Sequence, residues 1–194
     1  MKKVLLVTMV IIAFTGLLFL RVSADNSNDT KKGAFMADKK ILIAYYSYSG
    51  NTKSVAERIQ KQTGGDLFEI QTVNAYPADY NAVVQQAKQE KEKDYRPALK
   101  SKAENINEYD IVFLGTPIWW YTMAPAVKSF IAENNLAGKT VVPFCTHGGG
   151  GVSSAFSDIA KLAPNSKVLK GLVVYENGSS STDKEISEWL KELN

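Results

Sequence analysis

One run of residues carries most of the information about the architecture of this chain: Ile41-Leu42-Ile43-Ala44-Tyr45-Tyr46-Ser47-Tyr48-Ser49-Gly50-Asn51-Thr52. Its first half is apolar and predicts a buried strand over Lys39–Tyr46. Its second half is a short loop of hydroxyl side chains around one glycine, and a predicted helix, Thr52–Gln62, follows directly. Such a loop directs backbone N–H groups and hydroxyl groups at one point, where the N-terminus of the helix attracts an anion. The run therefore predicts a binding site for a phosphate group.

Strand and helix patterns alternate along the rest of the chain, which favours an α/β fold with a parallel sheet. The further predicted strands are Asp66–Val73, Ile111–Leu114, Lys139–Cys145 and Lys167–Tyr175. The further predicted helices are Tyr80–Lys93, a helix that begins at Pro125, Val152–Leu162 and a C-terminal helix with Ile186, Trp189 and Leu190 on one face. These elements fit a single three-layer α/β/α sandwich over residues 39–194. In such sheets, ligands lie beyond the carboxyl ends of the strands, near the point where the strand order reverses.

Charge and cysteine content narrow the classes of partner. The net charge is +3, but residues 1–38 contain five basic and three acidic residues, which leaves 18 basic and 17 acidic residues for the domain. Because this balance is nearly neutral and the basic residues are dispersed, nucleic acid is not predicted as a partner. Cys145 is the only cysteine, and there is no cluster with the spacing of metal ligands, so neither a disulfide nor a metal site is predicted.

Residues 1–24 have the pattern of an export signal. Two lysines near the start precede seventeen uncharged, mostly apolar residues, Val4–Leu20, and small residues follow at Val22-Ser23-Ala24. This pattern is typical of a cleaved signal peptide, but the apolar length also reaches the lower limit of a membrane span, so a retained anchor stays open. Either alternative predicts that the rest of the chain is exported, and is secreted or anchored to the outer face of the cytoplasmic membrane by residues 4–20. Residues 25–38 are polar and predict a flexible tether.

Three segments rich in potential ligand contacts each follow a predicted strand: Ser47–Thr52, Thr116–Tyr121 and Thr146–Gly151. The first resembles the phosphate loop of flavodoxins, which bind FMN. Gly115–Trp120 resembles the loop that covers the flavin ring in that family, and Phe144–Gly151 resembles its third loop. The resemblance extends over roughly residues 39–194. It implies a flavodoxin-like fold, with a five-stranded parallel sheet in the order 2-1-3-4-5, and FMN as the cofactor.

The resemblance also implies a set of cofactor contacts. In the first segment these are hydroxyl groups of Ser47, Ser49 and Thr52 and backbone N–H groups of Gly50 and Asn51. In the second segment they are Thr116, Pro117, Ile118, Trp119 and Trp120, where one tryptophan would lie against the flavin ring and the other would pack against a helix. In the third segment they are Cys145, Thr146, His147, Gly148 and Gly149; the glycines would let the backbone approach a flat ligand, and the thiol of Cys145 is expected to be packed. Tyr48 and Tyr121 are further candidates for the same surface.

Two functions follow from these contacts. The first is an oxidoreductase that passes electrons from NAD(P)H through FMN to a quinone-like or other small acceptor, with His147, the only histidine, as proton donor. The alternative is a one-electron carrier between protein partners. Carriers of this family are usually strongly acidic, unlike this domain, and adjacent tryptophans could form a pocket for a flat acceptor. No dinucleotide-binding fingerprint is present. A third alternative is an exported domain of this fold without a cofactor.

Overall fold

The computed structural model describes residues 34–193. The predictions for residues 1–24 and for most of the tether therefore lie outside the described residues. Within residues 34–193, no helix combines the length and apolarity needed to cross a membrane. The end of the tether differs from the prediction, because Ala34–Met36 forms a 3-10 turn and the side chain of Met36 is fully buried. The folded domain therefore begins before Lys39.

The described residues form a sheet of seven strands, in which the parallel strands carry the architecture. The strands are β1 (Ile41–Tyr45), β2 (Asp66–Glu69), β3 (Ile111–Trp119), β4 (Thr122–Met123), β5 (Thr140–His147), β6 (Lys167–Val168) and β7 (Leu172–Tyr175). Their order is β2-β1-β3-β5-β6, with β7 also parallel to β5 and β4 antiparallel to β3. The predicted parallel α/β sheet is confirmed, but its strand count and order differ in detail.

Three of these differences are local changes in where a strand begins or ends. The predicted third strand continues to Trp119 and turns back as β4, so much of the second predicted loop is strand. The predicted second strand ends at Glu69, and Thr72 instead forms an isolated antiparallel bridge with Leu99. The predicted last strand is divided into β6 and β7. Between them lies Gly171, where an added Cβ would be 2.3 Å from the ring of Phe156.

Five helices cover the sheet within the described residues: α1 (Asn51–Thr63), α2 (Tyr80–Glu92), α3 (Pro125–Glu133), α4 (Ala155–Leu162) and α5 (Thr182–Glu192). Local signals explain several of their ends. The carboxylate of Asp79 accepts a hydrogen bond from the amide of Ala82 at 2.8 Å and caps α2. Pro125 occupies the first turn of α3, where its missing N–H costs no hydrogen bond. Gly64 ends α1 in the left-handed conformation that favours glycine.

The core has one cluster on each face of the sheet, because successive side chains of a strand point to opposite faces. Along β3, Val112 and Leu114 belong to the cluster covered by α2, α3 and α4. Ile111 and Phe113 belong to the other cluster, which contains buried residues of α1 and α5. Both faces are therefore covered, and the carboxyl ends of β1, β3 and β5 lie side by side at one edge.

Candidate functional site

A cavity of about 530 Å³ lies at this edge of the sheet, and all three predicted segments contribute to its wall. The wall is formed by Tyr48, Ser49, Asn51, Tyr80, Val83, Val84, Ala87, Pro117, Ile118, Trp119, Trp120, Tyr121, Thr146, His147, Gly148 and Gly150. The parallel register brings the segments together, since Tyr45 of β1 pairs with Gly115 of β3 and Thr116 pairs with Cys145 of β5. The predicted convergence is therefore present in the structure.

The first segment presents free backbone donors at the start of α1. Gly50 adopts φ 89°, a left-handed conformation that lets the loop enter the helix. The amide of Lys53 donates to the hydroxyl oxygen of Ser47 at 3.2 Å. Among residues 34–193, the amides of Ser49, Gly50, Asn51 and Thr52 have no hydrogen-bond acceptor. These N–H groups lie at the positive end of the helix dipole and can hold an anion.

The hydroxyl groups of Thr52 and Thr146 join the first and third segments beneath the cavity. Their oxygens are 2.8 Å apart. The two side chains are only 1% and 3% exposed, respectively. One hydroxyl must donate to the other, which leaves a single proton of the pair for any further acceptor. The hydroxyl of Thr52, predicted as a phosphate contact, therefore has a buried partner in Thr146.

Trp119 is held in a cluster of aromatic rings at one side of the cavity. Its ring makes edge-to-face contacts with Tyr46, Tyr48 and Tyr76, with centroid distances of 5.6, 5.8 and 4.9 Å. The hydroxyl of Tyr76 in turn donates to the buried carboxylate of Glu90 at 2.5 Å. Burial, reinforced by this hydrogen bond, raises the pKa of Tyr76, so the phenol stays protonated as a donor. The cluster fixes the position of Trp119.

Trp120 is held in a different way, at the turn between β3 and β4. Its indole N–H donates to the carbonyl of Val84 in α2 at 2.9 Å. The Nζ of Lys88 lies 5.5 Å from the centroid of its ring, a cation–π distance. Both tryptophans therefore line the cavity and both pack against neighbouring elements. Which of the two would lie against a flavin ring stays a prediction.

The third segment continues from β5 into a loop of glycines. The Nδ1 atom of His147 accepts a hydrogen bond from the amide of Gly149 at 3.0 Å. Its ring lies 5.7 Å from that of Tyr175 in an edge-to-face contact. The amides of Gly148 and Gly150 have no acceptor among residues 34–193, and both residues line the cavity. This side of the cavity thus offers backbone donors and one imidazole.

Several residues predicted as contacts lie outside the wall: Ser47, Gly50, Thr52, Thr116, Cys145 and Gly149. Thr116 is fully buried, where its hydroxyl donates to Pro117 and accepts from the amide of Ala124. Cys145 is also fully buried, and burial raises the pKa of its thiol to about 12. These two side chains support the segments from within the core.

Sequence reasoning missed the contribution of α2 to the wall. Tyr80, Val83, Val84 and Ala87 all face the cavity. The two valines and the alanine are apolar residues on one side of the helix, a pattern that reads as ordinary core packing. Tyr80 is 73% exposed, and nothing in its local sequence distinguishes it from a surface residue.

Comparison with known proteins identifies the family. A family model described as flavodoxin matches residues 40–193. The chain belongs to the flavodoxin family. Flavodoxins bind FMN, so the cofactor predicted from the sequence is confirmed at the level of the family.

Individual relatives match this flavodoxin-family chain over different lengths. The flavodoxin of Haemophilus influenzae is 32% identical over 84 residues, which are 43% of this chain and 34% of that protein. The match therefore spans about a third of that curated relative. Solved structures match over more of their length. A candidate flavoprotein from Bacteroides eggerthii has a TM-score of 0.72 at 36% identity, covering 80% of this chain and 98% of that chain. A flavoprotein from Lactobacillus acidophilus in complex with FMN has a TM-score of 0.66 at 25% identity, covering 78% of this chain and 98% of that chain.

The residues at the site fit an FMN molecule chemically. The free amides of the first segment suit a phosphate dianion, which needs several N–H donors. The tryptophans and the apolar side chains of α2 offer flat, apolar area for an aromatic ring system. The free amides of Gly148 and Gly150 suit the polar edge of such a ring.

Proposed function

We propose that this chain binds FMN in the cavity and acts as an oxidoreductase that passes electrons to a quinone-like or other small, flat acceptor. The observation that carries the proposal is the convergence of three strand-end segments on one cavity of about 530 Å³. Bound FMN would supply the redox chemistry, accepting electrons from a donor such as NAD(P)H and passing them on. The chain would bind and orient FMN, limit the access of water and provide a proton.

The first turn of α1 would hold the phosphate group. The free amides of Gly50, Asn51 and Thr52 would donate hydrogen bonds to phosphate oxygens, and bonds to a charged acceptor are stronger than neutral ones. Lys53 is exposed on the same turn and adds positive charge. The helix dipole contributes roughly 0.3–1 kcal/mol more for an anion at this position.

The tryptophans and α2 would hold the ring system. Trp119 and Trp120 are fixed by their neighbours, so the aromatic wall needs little rearrangement to receive a flat ligand. Val83, Val84 and Ala87 extend this wall with apolar area. A flat acceptor that enters beside the flavin ring would also contact aromatic and apolar side chains.

His147 would donate a proton to the acceptor. Because its Nδ1 atom accepts the amide hydrogen of Gly149, the neutral imidazole carries its own proton on Nε2. Reduction of a quinone to a quinol consumes two electrons and two protons. The ring would first take up a proton from water to form the imidazolium, which would then pass one proton to a quinone oxygen and return to the neutral imidazole; water would supply the other proton.

A one-electron carrier between protein partners is the second candidate, and three exposed tyrosines favour it. Tyr80 and Tyr121 line the cavity and are 73% and 65% exposed. Tyr175, beside His147, is 59% exposed. Tyrosine is enriched in the contact surfaces of protein complexes. The near neutrality of the domain would give such encounters little electrostatic steering.

We further propose that the domain works outside the cytoplasm, as the pattern of residues 1–24 predicts. An exported redox domain near the membrane would exchange electrons with membrane quinones or respiratory components. Cell fractionation tests this placement, with a variant that lacks residues 1–24 as the cytosolic control. Recovery of the full chain wholly in the cytosolic fraction would contradict the proposal.

Spectroscopy of the full chain separates the candidate functions. After FMN is added and the excess removed, bleaching of the flavin absorbance by NADPH or NADH and its recovery on adding a quinone would support the oxidoreductase. Flavin that responds only to dithionite, in two separable one-electron steps, would favour the carrier. Absence of retained flavin would contradict both.

A His147→Phe variant tests the proton donor, since it keeps an aromatic ring and removes both nitrogens. We expect quinone turnover to fall by roughly 10²-fold or more, the usual loss when a general acid is removed. FMN affinity should change far less than turnover. Turnover equal to that of the wild type would remove His147 from the mechanism.

A further inference from the structure

The turn between β3 and β4 has an unusual backbone conformation. Trp119 pairs with Thr122, so Trp120 and Tyr121 form a two-residue hairpin turn. Both have positive φ angles, 48° and 67°. Such turns normally contain glycine or asparagine, because a bulky side chain in this conformation is strained. The surrounding structure must therefore hold the turn in place.

The start of α4 supplies much of this support. The carbonyl of Tyr121 accepts from the amide of Ser154 at 3.1 Å, and the hydroxyl of Ser154 lies 3.0 Å from the same oxygen. That hydroxyl is also 2.6 Å from Oδ2 of Asp158. A hydroxyl has one proton to donate, and the shorter distance and the negative charge favour the carboxylate.

Asp158 also contacts the residue that follows the turn. The hydroxyl of Thr122 donates to Oδ2 of Asp158 at 2.8 Å, and Nζ of Lys161 lies 3.2 Å from Oδ1. Burial tends to raise the pKa of Asp158, but hydrogen bonds from Ser154 and Thr122 and the neighbouring Lys161 hold it below its usual value. At neutral pH the group is therefore a carboxylate that can accept from both hydroxyls.

The turn carries part of the cavity wall, since Trp120 and Tyr121 both line it. On its other side the turn is attached to α2 through the indole of Trp120 and the carbonyl of Val84. The turn is thus held between two helices, and the carboxylate of Asp158 is the one charged group that contacts both Thr122 and Ser154 among the described residues.

We propose that Asp158 is a positioning residue for the site. Through Thr122 and Ser154 it fixes the strained turn, and so sets the position of the aromatic wall against the ring of a bound flavin. The inference rests on the proposed function, because the wall acts on a flavin only if one occupies the cavity. Asp158 would have no effect on the phosphate end of a bound FMN, because that end would be held by the first turn of α1.

The test compares FMN with riboflavin, which has the same ring system and no phosphate. Their affinities for the full chain are measured by flavin fluorescence for the wild type, Asp158→Ala and Asp183→Ala. Asp183 is the matched control, an exposed carboxylate in the first turn of α5 that pairs with Arg58. We expect Asp158→Ala to weaken the binding of FMN and of riboflavin by the same factor, about tenfold, because only the contact with the ring changes. The control should bind both as the wild type does.

A second measurement needs no ligand. Amide hydrogen exchange of the apoprotein should be faster in Asp158→Ala at Thr122 and at Ser154, whose amide donates to the carbonyl of Tyr121, with exchange in the centre of β3 unchanged. Unchanged exchange at the turn, or unchanged affinity for both flavins, would overturn the proposal. So would a loss for FMN alone, because it would place the effect at the phosphate end. A wild type that binds neither flavin would instead overturn the proposed function, and the exchange result would still decide whether Asp158 holds the turn.

Discussion

The buried hydroxyl groups of Thr52 and Thr146 form a contact that the sequence alone did not predict. The sequence predicts that the hydroxyl of Thr52 donates a hydrogen bond to a phosphate oxygen. In the structure it faces the hydroxyl of Thr146 at 2.8 Å. The first turn of α1 and the end of β5, 94 positions apart in sequence, are brought together by the order of the strands. Local sequence could not reveal this contact, although it correctly placed both residues near one edge of the sheet.

Substitution of Thr52 tests the hydrogen bond. Thr52→Val keeps the shape of the side chain and leaves the hydroxyl of Thr146 without its buried partner. We expect the free energy of unfolding to fall by about 1–3 kcal/mol, the cost of an unsatisfied buried polar group. Urea denaturation measures this value. The double variant Thr52→Val/Thr146→Val should recover part of the loss, whereas strictly additive losses would show that the pair contributes nothing.

Cys145 should be unreactive in the folded protein. Burial raises the pKa of its thiol to about 12, and the thiolate is the reactive form. We expect a thiol reagent at pH 8 to label the chain in unfolding concentrations of urea and to leave the native chain unlabelled. Because this pKa is raised on folding, the associated stability is complete below about pH 8.5, the usual value for cysteine, and is lost as the pH rises towards 12. Rapid labelling of native protein would contradict the burial.

At the scale of elements, β3 shows where sequence patterns succeed and where they stop. The apolar run Ile111–Leu114 predicts a central strand, and the structure confirms it. The continuation to Trp119 was missed because Gly115 and Pro117 are typical of loops. Pro117 lies beyond the last pair with β1, so its missing N–H faces no partner on that side. Topology therefore overrides a local signal at this position.

Gly115 is needed for the packing of β3 against β5. A Cβ at this position would lie 2.2 Å from Cζ of Phe144, whose ring is fully buried. We expect Gly115→Ala to lower the free energy of unfolding by about 1–3 kcal/mol, the usual cost of overpacking a core. Thermal or urea unfolding measures the change, and Gly148→Ala is the matched control because nothing lies within 4 Å of its added Cβ. The double variant Gly115→Ala/Phe144→Leu should be more stable than Gly115→Ala alone; equal stability would show that the ring is not the cause.

At the scale of the whole molecule, the position of the site follows from the alternation of strands and helices. That alternation predicts a covered parallel sheet, and a covered sheet leaves its carboxyl edge for ligands. The wall formed by Trp119 and Trp120 could be expected from their position after a strand. The wall formed by α2 could not, because Val83 and Ala87 have the same appearance whether they face a core or a cavity.

The extent of the domain is also a property of the whole molecule. Met36 is fully buried in the cluster that contains Ile41 and Ile111, although it precedes the first strand. A chain that starts at Lys39 loses this side chain, and we expect it to be less stable than one that starts at Ala34 by about 2–5 kcal/mol, as for a buried methionine replaced by alanine. Met36→Ala in the longer chain should reproduce most of the loss. Equal stability of the two chains would show that Met36 contributes nothing to the core.

The central claim is that the three segments form a flavin site. Its most direct test is to titrate the chain that starts at Ala34 with FMN and with riboflavin, and to monitor binding by flavin and tryptophan fluorescence. If the three segments form a flavin site, FMN should bind saturably with quenching of tryptophan, and more tightly than riboflavin because its phosphate meets the free amides of α1. Absence of saturable binding, or equal affinity for the two ligands, would contradict the account.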